Sequence, residues 1–187
     1  MTGSPPAPLP LDVTVLQTAA ALENLAVAVY RAAAGLPFAP PGSRLRELTD
    51  RNQAHHAAHA QAFNQALAKA GAAQQHAVDP RYGSVPQRAA ATPDPVSLIG
   101  LLTEVEGILG QSCARYAALA ADGAVRSLFV SVASVEAQHG SELLLARLLP
   151  TDGATALALP ESTGTAGIPH TAYPTAQASA IGEGAVR

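Results

Sequence analysis

Four stretches of the chain repeat apolar residues with the period of an α-helix, and the connections between them run short, long, short. The spacing predicts a first helix over about Asp12–Ala34, capped by Asp12 and stopped by Gly35 and Pro37. The loop "GLPFAPPG" leads into a second helix, which Ser43 caps and Gly71 ends after Ala70. The stretch "GAAQQHAVDPRYGSVPQRAAATPDP" follows, and so long a connection inside one domain reads as a crossover or a functional loop. A third helix is expected over about Pro95–Ala121, with Asp94 as cap and Pro95 in the first turn. Only "ADG" separates it from a fourth, about Ala124–Leu149, stopped by Pro150. That order of loops belongs to an all-α four-helix bundle with one long crossover between its second and third helices.

Composition agrees with packed helices. Hydrophobic residues make up 48% of the 187 residues, many of them alanine, while aromatics are 4% and Trp is absent. Strands would need more β-branched and aromatic side chains. Domain organisation follows from the same pattern: a flexible lead over 1–11, the bundle over 12–149, and a tail over 150–187 rich in Pro, Gly, Ala and Thr. Lacking periodicity, the tail is expected to be disordered or laid on a partner.

The rest of the composition excludes several functions. A net charge of −3 without a Lys/Arg stripe gives no footprint for nucleic acid. Cys113 is the single cysteine, so neither an intrachain disulfide nor a Cys-based zinc cluster can form. The apolar runs are judged too short for a membrane span, and "MTGSPPAPLP" lacks the features of a signal peptide, so a cytoplasmic location is expected. The chain also offers no nucleophile elbow, phosphate loop or His-Glu-x-x-His motif, which makes a hydrolase a poor reading.

What stands out is the polar residues on the apolar stripes. Glu23 interrupts the first stripe, between Ala19, Ala20, Ala26 and Val27, and Glu106 interrupts the third, among Ile99, Leu102, Leu109 and Cys113. Glu136 and His139 share the fourth with Phe129, Val132 and Leu143. On the second, His56 and His59 fall nearest the centre of the inner face, with Gln53 and His55 toward opposite edges. Glu23 and Glu106 are 83 positions apart, as are Gln53 and Glu136, and His56 and His139. One helix pair thus reads as used twice, its inward polar groups in matching places. Buried carboxylates must be protonated, paired or bound to metal, and carboxylates with imidazoles suit Fe, Mn or Zn. The bland reading of Glu136 and His139 alone is a hydrogen-bonded pair within one helix. Tyr30 and Tyr116 are expected to pack with their hydroxyls satisfied near the cluster, Cys113 to be a small core residue, and Glu104 to sit at the surface. His55 is expected to be solvated or at an interface.

Through "ALENLAVAVY", "NQAHHAAH", "EVEGIL" and "VEAQH", the sequence over about Asp12–Leu149 resembles the ferritin-like superfamily. Within it, the resemblance is to bacterial ferritin-like domain proteins related to desiccation-associated proteins. It implies a ferritin-like bundle with Glu23 and Glu106 as single carboxylate ligands, and Glu136 with His139 as one Glu-x-x-His pair. Gln53 and His56 would be the second, imperfect pair, since Gln53 stands where the family has Glu and an amide bridges metals poorly. His59, one turn beyond His56, can compensate in a nitrogen-richer site. The function implied is binding of one or two Fe ions, with Mn or Zn as substitutes, and redox chemistry toward Fe(II), O₂ or peroxide. The alternative is a non-catalytic bundle with a degenerate site, a structural, stress-related or cargo protein that acts through its tail. Expected partners are a metal ion and neither nucleic acid nor membrane, with a homo-oligomer and a protein partner for the tail left open.

Overall fold

The computed structural model describes residues 10–148 and Ala178; the expectations for the lead before residue 10 and for the tail otherwise lie outside the described residues. Among these residues there are five helices and no strand. They are α1 (Leu11–Ala34), α2 (Arg44–Lys69), α3 (Val85–Ala90), α4 (Pro95–Leu119) and α5 (Gly123–Leu148), with a 3-10 turn at Pro80–Tyr82.

The start and stop signals work largely as the sequence suggests. Ser43 Oγ accepts from the Arg46 N–H at 3.2 Å, and Asp94 accepts from the Ser97 N–H at 2.9 Å, with Pro95 opening α4. Gly71 ends α2 in the left-handed region, φ 68°, while the Ala72 N–H reaches back to the Leu67 carbonyl at 2.9 Å. Asp12 differs from expectation. Helix α1 starts one residue earlier, and the Asp12 carboxylate instead accepts from the Ala121 and Asp122 N–H groups, both at 2.9 Å. It ties the start of α1 to the α4–α5 turn. Asp122 caps α5, accepting from the Ala124 and Val125 N–H groups at 2.7 and 3.0 Å.

The long connection is better ordered than its sequence implies. Asn64 on α2 grips Gln75 at both backbone groups, donating to its carbonyl at 2.9 Å and accepting from its N–H at 2.7 Å. Gln17 and Asn24 on α1 donate to the Ala73 and Gln75 carbonyls at 3.1 and 3.2 Å. The chain then forms α3, which packs on α1 and buries Val85 and Ala89. Six residues are too few to show a helical period, so α3 is invisible in the sequence pattern.

Helix α1 packs most extensively on α2, and α4 on α5; α1 also meets α4, and α2 meets α5. Their apolar side chains form two separate clusters. One gathers Leu22, Leu25, Val29, Leu98, Leu102, Leu109 and Leu143 with Val85 and Ala89 of α3. The other gathers Leu16, Phe63, Leu67, Cys113, Tyr116, Phe129 and Val132. Each fully buried Leu or Phe contributes roughly 2 kcal/mol. Between the two clusters, on every long helix, lie the polar residues that interrupt the stripes. By length and composition α1 is apolar enough to cross a membrane, which corrects the expectation that no run suffices; 78% of its most apolar window is buried inside the protein, as in a core helix.

Candidate metal centre

Each long helix sends its interrupting residue into the layer between the two apolar clusters. Glu23, Glu106, Glu136, His56 and His139 are all buried, and His56 has no exposed surface. His56 lies at the middle: its Nδ1 is 2.9 Å from Glu23 Oε2, and its Nε2 is 3.1 Å from Glu106 Oε1. His139 Nδ1 lies 3.2 Å from Glu136 Oε2 and 3.4 Å from Glu106 Oε2. His59, half-buried, places Nδ1 2.8 Å from Glu136 Oε1 and 3.6 Å from Glu23 Oε2.

Gln53 does not share that place. It is half-buried, and it takes part in none of the hydrogen bonds and ion pairs that join the carboxylates to the imidazoles. Three residues turn a helix about 60° short of a full circle, so Gln53 and His59 flank His56 at equal angles on opposite sides. Packing decides between them, and it turns the His59 side toward α1 and α5. The inward pair of α2 is therefore His56 with His59. The matching offset is 80 positions, His56 to Glu136 and His59 to His139, three fewer than the pairing of Gln53 with Glu136 requires.

Two overlapping sets of donors result. One atom each from Glu23, His56, His59 and Glu136 lie within 4.8 Å of one another, and so do atoms from His56, Glu106, Glu136 and His139. Three of the buried atoms, His59 Nδ1, Glu106 Oε2 and Glu136 Oε1, make no hydrogen bond. The 2.8 Å contact between His59 and Glu136 lacks hydrogen-bond alignment. Buried polar atoms are nearly always paired, so atoms without a hydrogen bond among the residues of each set, His59 and Glu136 in the first and Glu106 and Glu136 in the second, fit a bound cation. Nitrogen and oxygen donors in this mix suit Fe, Mn or Zn.

The charges respond accordingly. Burial alone would keep His56, His59 and His139 neutral, but the carboxylates reverse that, raising His56 well above the usual imidazole range and the other two to about 9. Glu106 is held well below the ordinary range and Glu23 below it, because contacts with imidazoles outweigh the burial that opposes ionisation. Glu136 goes the other way, to about 7, through burial and then the charge of Glu23. Without metal, imidazolium and carboxylate neutralise each other in place.

Around these six groups stands a second layer. Tyr30, buried, donates its hydroxyl to Glu106 Oε1; burial and then the Glu106 charge raise its pKa well up, so it remains a donor. Asn52, also fully buried, sits beside it. His55 Nδ1 is 2.9 Å from His139 Nε2, the two rings stacked with centroids 5.2 Å apart. The sequence places His55 off the inner stripe, in solvent or at an interface; its ring is exposed and at the same time bound to a residue of the centre. An open groove between α2 and α5, lined by Arg51, His55, His139 and Glu142, reaches this edge of the layer. Tyr116 packs edge-on against Phe129, Glu104 is exposed near Arg88, and Cys113 stays a thiol, raised by burial and then by Glu23 and Glu136.

A family model described as a ferritin-like domain matches residues 11–156. No curated protein and no solved structure matches the chain.

Proposed function

This chain belongs to the ferritin-like domain family, and we propose that it is a metal-binding protein whose four long helices form a bundle with one long crossover around a site of the non-haem iron type. The observation that carries this reading is the pair of overlapping sets of buried carboxylates and imidazoles, in which three ligand atoms from three helices make no hydrogen bond. Glu23, His56, His59, Glu106, Glu136 and His139 would hold the ion, with iron first and Mn or Zn fitting the same donors. Bound iron would supply redox chemistry toward O₂ or peroxide, or the oxidation of further Fe(II).

The chain's own residues have definite tasks in this scheme. Tyr30 fixes the rotamer of Glu106 by donating to it, and His55 orients the ring of His139. The two apolar clusters on either side keep water from the layer, which strengthens every charge interaction within it. The groove between α2 and α5 gives an ion access past His55.

Elemental analysis of protein purified without chelator tests the proposal, beside a Glu136→Ala, His139→Ala variant whose helicity is checked by circular dichroism. Bound Fe, Mn or Zn in the native protein and its loss from the folded variant are expected. A native protein that takes up no metal, even after anaerobic loading with Fe(II), would overturn the reading.

A further inference from the structure

We propose that the centre holds one transition-metal ion per chain, because its two donor sets compete for a single lone pair on His56. The inference rests on the metal-binding reading above and concerns how many ions the six residues can hold. The set toward α1 is Glu23, His56, His59 and Glu136; the set toward α4 is His56, Glu106, Glu136 and His139. Each offers two nitrogens and two carboxylates, so neither is chemically preferred by donor type. They share two residues, and these differ in what they can share.

Glu136 serves both sets without conflict. An ionised carboxylate has two oxygens and about four lone-pair sites. Its Oε1 lies 2.8 Å from His59 Nδ1 and its Oε2 lies 3.2 Å from His139 Nδ1, so each oxygen already faces one set. His56 is different. Its two ring nitrogens point to opposite sides, Nδ1 toward Glu23 at 2.9 Å and Nε2 toward Glu106 at 3.1 Å. A neutral imidazole has one acceptor nitrogen and one N–H. When the lone pair of His56 is committed to one set, its N–H is directed into the other and is bonded to the carboxylate there. The second set then has three donors and a proton where its fourth donor should be. Charge argues the same way, since two divalent ions bring four positive charges to a layer with three carboxylates.

In this fold class the corresponding pair on each of two helices is Glu-x-x-His; here α5 has Glu136 and His139, whereas α2 has His56 and His59. The exchange of one carboxylate for an imidazole is thus what divides the centre into alternative seats. Restoring the carboxylate should rejoin them.

The full chain, freed of metal by chelation and loaded anaerobically with Co(II), tests this by bound-metal analysis and electron paramagnetic resonance, beside His56→Glu. The native protein should retain one Co(II) per chain with the signal of a magnetically isolated ion, and folded His56→Glu should retain two. Two ions in the native protein would overturn the inference and leave the metal-binding reading standing. So would a folded His56→Glu that still holds one. No retained ion in the native protein would remove the metal-binding reading itself, and this inference with it. If His56→Glu does not fold, the native stoichiometry and its spectrum decide alone.

Discussion

His55 makes its contribution from outside the layer. Its Nδ1 faces His139 Nε2 at 2.9 Å, while His139 Nδ1 faces Glu106 and Glu136. Burial and then the facing His139 hold the His55 pKa down, so it is suited to accept an N–H from His139 and thereby leave Nδ1 free toward the carboxylates. Outer partners of ligating histidines are worth about 10–100-fold in metal affinity. His55→Ala should weaken binding by that factor in a chelator competition, with unchanged helicity because the side chain is exposed. Native affinity in His55→Ala would mean that the ring contact is idle. Five of the six converging residues were legible in the sequence as central, since each breaks an apolar stripe at helical spacing. The sixth, His59, was legible near the centre of the α2 stripe, but only as a residue that could stand in for Gln53 beside His56. Periodicity gives the angle between Gln53 and His59 but not the direction in which neighbouring helices lie, and that direction is set by packing.

At the scale of elements, what matters is how closely α4 and α5 approach. Gly110 is the point of contact: a Cβ built there would lie 3.4 Å from the Glu136 Cβ, at the inner limit of ordinary contact. Gly110→Ala should therefore be accommodated and gain about 0.5–1 kcal/mol from helix propensity. Gly110→Leu has no such room and should displace Glu136, with bound metal falling while most helicity remains. Thermal melts and elemental analysis of the two variants check this, and equal metal content in both would show that the contact does not position Glu136. Element boundaries were readable from Ser43, Gly71, Asp94 and Pro95, residues whose chemistry ends or starts helices locally. The order in the long connection was not, because it depends on amide groups of Asn64, Gln17 and Asn24 reaching across from other helices.

Over the whole molecule, the polar layer couples folding to pH. Without metal, His59 and His139 have folded pKa values of about 9 against 6.5, so their stabilising effect is complete below 6.5 and is lost as pH rises through 9. Glu136, raised from 4.5 to about 7, loses its contribution in the same direction. Glu23 and Glu106, both lowered, act oppositely and contribute above 4.5. The metal-free protein should thus be most stable in mildly acidic solution, with a Tm that falls toward pH of about 9. Because ligands bind metal in their deprotonated forms, the gain in Tm from added metal should grow over the same range. Calorimetry with chelator and with metal checks both trends, and a chelated Tm that is flat across this window would contradict the charge assignments.

The layer has one more effect, which does not depend on any ion. Helix α1 buries Ala19, Ala20, Ala21, Ala26, Ala33 and Ala34, small side chains that fix its height against a neighbour less than Leu22, Leu25 or Tyr30 do. A slip of one turn moves a helix by about 5.4 Å and would set larger side chains such as Leu22 where an alanine had been. It would also carry a carboxylate or an imidazole out of the polar level and strand it among leucines, at a cost of several kcal/mol. Glu23, His56, Glu106 and Glu136 therefore act as a level mark shared by four helices, which adds to what the apolar side chains do in holding their heights equal. A chain with this fold that bound no metal would still have reason to keep them.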